Sequence, residues 1–97
     1  MSANPARGEA EVCGHVLRPS FAALVGAEAE LGPLFDLVER AAAGKLSLSE
    51  MVALFWHCLA NRDGVLRSDL GDAVMARGLV HATPVLKVLL GQILQGR

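Results

Sequence analysis

The stretch Leu46-Ser47-Leu48-Ser49-Glu50-Met51-Val52-Ala53-Leu54-Phe55-Trp56 decides the fold class of this chain. Ser47 and Glu50 stand three apart. At that spacing a serine hydroxyl caps the start of a helix and a glutamate reaches back to the N–H of the capping residue. Leu46 and Met51 flank the box at the positions of a hydrophobic staple. The apolar run that follows has helical rather than alternating periodicity, with Leu48, Val52, Phe55 and Leu59 on one arc. The spacing predicts a helix from Ser47 to Ala60, stopped by Asn61-Arg62-Asp63-Gly64.

Towards the N-terminus, Ser20 is placed to cap a helix over 21–31, and Gly32-Pro33 breaks the chain before a second helix over 33–43. In that second helix Leu34, Leu37, Val38 and Ala41 face one way and Asp36, Glu39 and Arg40 the other, with Asp36 and Arg40 an i,i+4 pair and Gly44 closing the end. Earlier still, Glu9-Ala10-Glu11-Val12, Cys13-Gly14 and His15-Val16-Leu17-Arg18 read as strand, turn and strand, a hairpin over 9–18 that must pack on the helices. Residues 1–8 are expected to be a mobile lead-in to a single domain over 9–97. Towards the C-terminus, Ser68 or Asp69 is expected to open a helix ending at Gly78, and Thr83-Pro84 a last one that frays near Gly96. The predicted fold is mainly α: a small helical domain of about five helices with a short N-terminal β-hairpin.

Composition narrows the function. The residues AVILMFWYC make up 53% of 97 positions, and Gly adds 10 more, above the roughly 45–50% usual for soluble domains. So small a body cannot bury all its Leu and Val, and contiguous exposed apolar area marks partner contacts. Nine Lys and Arg against ten Asp and Glu leave no basic footprint for a nucleic acid. Neither the central helix nor the last one gathers the Arg, Lys, Asn or Gln face that a DNA-reading helix requires. Residues 21–50 lean acidic and 51–97 lean basic, a polarity that a solvated surface or a steered partner explains equally. The sequence offers neither a membrane-spanning apolar run nor the apolar core of a secretory signal between Met1 and Glu11. A cytoplasmic protein with reduced Cys13 and Cys58 is expected.

No catalytic or metal constellation stands out. His57 and Cys58 are adjacent and diverge by about 100° on a helix, Cys13 and His15 are two apart, and neither pair has zinc-site spacing. A phosphate loop and a nucleophile elbow are missing. The chain is read as a non-enzyme with no cofactor and no metal. Glu28 is expected near Phe21 and Leu24 on the apolar face of the first helix. There its carboxylate either caps the free N–H groups of Leu34 and Phe35, pairs with Arg18, or has a partner-facing or catalytic role. Trp56, at the edge of the central helix's arc, is either core or an interface anchor. In the last helix Val85, Leu86, Leu89 and Ile93 suffice for a core face, so Leu90 and Leu94 are expected to be surplus and to bind a partner.

Several stretches together resemble the gene transfer agent family of small phage-tail proteins. They are Gly8-Glu9-Ala10-Glu11, Leu17-Arg18-Pro19-Ser20-Phe21, Glu28-Ala29-Glu30-Leu31-Gly32, Lys45-Leu46-Ser47-Leu48-Ser49-Glu50, and the Leu89-Leu90 to Ile93-Leu94 helix. The resemblance implies a tail-assembly chaperone of the bacterial producer cell, encoded by a prophage-like element. Such a helper binds the tape measure protein, helps recruit tail tube protein, and is absent from the mature particle. The alternative is a structural tail subunit, of tube or connector type. Tube subunits close their rings through β-sheets, and this chain promises one short hairpin.

Overall fold

The computed structural model describes residues 10–95. The expected lead-in over 1–8 and the outermost hairpin residue, Glu9, lie outside them. The described residues form a hairpin, β1 (Ala10–Val12) and β2 (His15–Leu17), followed by five helices: α1 (Phe21–Leu31), α2 (Leu34–Ala42), α3 (Leu48–His57), α4 (Arg67–Arg77) and α5 (Leu79–Gln95). The fold is mainly helical with one antiparallel hairpin, as its sequence predicts.

The strands pair Ala10 with Leu17, Glu11 with Val16 and Val12 with His15. Between them Cys13 (φ 50°) and Gly14 (φ 82°) are both left-handed, the backbone of the two-residue turns whose twist matches that of the strands. Val12 and Leu17 point inward and are fully buried.

α3 is the centre of the molecule. Its N-terminus carries the full capping box: Ser47 Oγ accepts from Glu50 N at 3.2 Å, and Glu50 Oε1 accepts from Ser47 N at 3.1 Å. Met51, Val52, Ala53, Leu54 and Phe55 are consecutive and all buried, as befits a helix packed on every side. α1 and α4 lie against it. The helix ends at His57, three residues before the expected Ala60. Leu59 instead pairs with Leu17, Arg18 N donates to Cys58 O at 2.6 Å, and Ala60 N donates to Val16 O at 2.9 Å. The hairpin's outer edge thus captures the chain just after the helix, satisfying backbone groups that further helix would have used.

Three further boundaries differ from expectation. Pro33 is the N-cap of α2 rather than its first helical residue, and its carbonyl accepts from Leu37 N. α4 starts at Arg67 behind an uncapped Leu66, with Asp69 in its first turn facing the helix dipole rather than capping. α5 starts at Leu79, so Pro84 lies inside it. Gly78 (φ 91°) turns the chain and its carbonyl accepts from His81 N and Ala82 N, founding the helix a turn earlier than Thr83-Pro84 would. Thr83 Oγ1 donates back to Leu79 O at 2.7 Å in the turn that Pro84 weakens. No single helix among the described residues is long and apolar enough to cross a membrane, and α4 and α5 meet at a bend of 116°.

Candidate partner-binding groove

The side chains expected to bind a partner differ in exposure. Leu94 is 57% exposed, whereas Leu90 is half-buried and packs on the core. α5 contacts both α4 and β1, so two neighbours rather than one meet its wide apolar arc. The first helix departs from its wheel in the opposite sense. Phe21 is 85% exposed, and α1 meets the core through small Ala27. A Cβ at Gly26 would stand 3.2 Å from His57 Nδ1. Glu28 is therefore on the exposed side rather than the buried face, and its Oε2 accepts from Leu34 N at 2.8 Å, tying α1 to the start of α2.

Trp56 is half-buried beneath the chain's own cations. The guanidinium carbons of Arg62 and Arg67 both lie 4.7 Å from its ring centroid, and the His57 ring meets it edge-on at 5.3 Å. Guanidinium charge is held there by the negative face of the indole. Arg67 also donates to Glu30 Oε2, and His57 Nε2 donates to Glu30 Oε1 at 2.8 Å. These bonds, Arg67's first and His57's second, hold the Glu30 carboxyl below its usual range. One carboxylate on α1 thus joins the end of α3 to the start of α4. A second network joins α2 to α3: Arg40 pairs with Glu50 at 2.7 Å and, more loosely, with Asp36 at 3.4 Å. The Glu50 carboxyl is lowered chiefly by that Arg40 bond and then by Ser47.

The resulting helix placement opens a groove of about 470 Å³ between α3 and α4. Leu48 and Val52 form one wall and Met75 the other. Gly71 leaves the floor open, and Ser49, Ser68, Arg67 and Asp72 stand around it. A Cβ at Gly71 would reach Val52 Cγ1 at an ordinary 3.7 Å, so the missing side chain is not forced by crowding. Leu48 also borders a second, smaller hollow of about 230 Å³ lined by Leu46, Met51, Leu79 and Leu86. Leu48, Met75 and Leu79 are each exposed, so an apolar strip runs across the α3–α4–α5 side. Such strips receive amphipathic helices. The sequence carried one faint sign of it, a glycine one turn before Met75 inside a helical segment. The pairing with Leu48 is tertiary.

Among the described residues no three His, Cys, Asp or Glu side chains gather to hold a metal ion. Cys58 is a core group, its thiol pushed up to about 12 by burial. Burial also raises the Cys13 thiol, with Arg77 opposing it.

The model of a family described as phage tail tube protein, GTA-gp10, matches residues 10–96. No curated protein and no solved structure matches the chain. The family match spans the whole described domain, and the chain belongs to this gene transfer agent and phage tail family.

Proposed function

We propose that this member of a phage tail family is a non-enzymatic tail-assembly chaperone. In this reading it holds an apolar helix of the tape measure protein in the α3/α4 groove and helps recruit tail tube subunits. It acts in the cytoplasm of the producer cell and leaves before the particle is complete. The groove between Leu48, Val52 and Met75 carries this reading, because it is an open apolar surface on a small body. The fold supports it too. The sheet is a hairpin of three-residue strands, and the edge at Leu17 is already taken by Leu59. Among the described residues little strand is left for closing a ring.

A second reading, a tube or connector subunit retained in the particle, is favoured by the family's description as a tail tube protein. Co-expression with the tape measure protein tests the first. The parent chain is expected to co-purify with it, and Gly71→Leu, which fills the groove from its floor, is expected to lower recovery at least tenfold, equivalent to about 1.4 kcal/mol. Unchanged recovery with Gly71→Leu would remove the groove from the account.

A further inference from the structure

The groove carries a charge bias that its apolar walls do not explain. α4 bears Arg67, Asp69, Asp72 and Arg77. Arg67 is engaged by Glu30 and by the Trp56 ring. Arg77 stands at the far end of the helix and does not line the groove. Asp72 lines the groove, and Asp69 is exposed one turn before it. Neither carboxylate has an ion-pair or side-chain hydrogen-bond partner among the described residues. The one carboxylate of α3, Glu50, is held by Arg40 and Ser47. The unspent charge at this edge is therefore negative, beside a wall of Leu48 and the adaptable Met75.

We propose that the groove's occupant is an amphipathic helix of a tail-protein partner whose apolar stripe is bordered by lysine or arginine, the basic residues facing Asp72 and Asp69. This rests on the groove reading above and adds the chemistry of the partner. Leucine-type anchors enter between Leu48, Val52 and Met75. The flanking cations complement the acidic rim, which fixes the side from which the helix lies and rejects an acid-flanked one. The molecule is 28 Å across, so a helix of about 18 residues, about 27 Å long, covers the face.

Two labelled synthetic peptides of about 18 residues provide the test. They share one leucine stripe and differ only in carrying lysine or glutamate at every flanking position. At about 0.05 M salt the parent chain is expected to bind the lysine peptide about fivefold more tightly than the glutamate peptide, a preference that shrinks at about 0.5 M. D69K/D72K is expected to invert the preference. Asp72→Lys alone, which keeps Asp69 in the first turn of α4, reads the same change in smaller measure should the double variant fold poorly. Gly71→Leu is expected to weaken both peptides at least tenfold. Equal binding of the two peptides, or a lysine preference that survives D69K/D72K, would overturn the proposed partner chemistry. If Gly71→Leu still abolished binding in that case, the apolar groove would stand without its charge rule. Binding indifferent to Gly71→Leu would defeat the groove itself. Self-association of the free chain that Gly71→Leu abolishes and neither peptide disturbs would assign the groove to a second copy and overturn the proposal.

Discussion

The guanidinium of Arg67 lies 4.7 Å from the ring centroid of Trp56 while donating to Glu30. One side chain at the head of α4 thereby fixes that helix against the end of α3 and against α1. It also stands at the edge of the groove, so the wall that would meet a partner is held by this contact.

Arg67→Ala should therefore loosen the start of α4. The expected loss is about 1 kcal/mol, the sum of a partly exposed cation–π contact and an exposed ion pair. Trp56 is the only tryptophan, so its emission reports the same event during urea unfolding. Arg67→Lys keeps the charge without the planar stack and should fall between the two. An unchanged midpoint in Arg67→Ala would make the contact incidental.

The Glu30 carboxyl is held low in the folded state by Arg67 and His57. Its stabilising share is complete above the ordinary carboxyl value of 4.5 and is lost as pH falls below that, through the lower folded value. Glu30→Gln should thus destabilise at pH 7 and cost less near pH 3. Urea midpoints of parent and variant at the two pH values check this. A cost that stays constant with pH would contradict it.

Ser47 caps the central helix through Glu50 N and receives the reciprocal bond. Ser47→Ala should cost about 1 kcal/mol, and Ser47→Asp should retain most of the stability. Thermal melts measure both.

The two leucines of α5 should separate. Leu94→Ser, at an exposed position, should leave the melting temperature nearly unchanged, whereas Leu90→Ser, on the core, should cost about 1–2 kcal/mol, less than full truncation of a buried leucine. Equal costs would mean that the burial difference carries no energy.

These contrasts also mark what the sequence made legible. The start of α3 is written within four residues, Ser47 to Glu50, and a local signal survives any tertiary context. The hairpin register and the Glu28 contact with Leu34, six residues on, are nearly as local. The end of α3 depends on Leu17 meeting Leu59 across forty-odd positions, which no helix-stop pattern encodes. Pro84 suggested a helix start because proline favours first turns, but Gly78 had already founded the helix. Phe21 misled for another reason. Apolarity assigned it to the buried face, while close packing of α1 on α3 wanted the small Gly26 and Ala27. The α3/α4 groove and the Glu30, His57 and Arg67 cluster join residues far apart in sequence, so they become visible only once the helices are placed.

The composition of purified particles tests the central claim most directly. Quantitative mass spectrometry of particles, set beside the lysate of producing cells, gives copies of this chain per copy of tape measure protein. The chaperone account predicts that the chain is plentiful in the lysate with its tape measure partner and absent from finished particles. Retention in a fixed ratio matching the ring repeat of the tube would contradict it and make this chain a structural subunit.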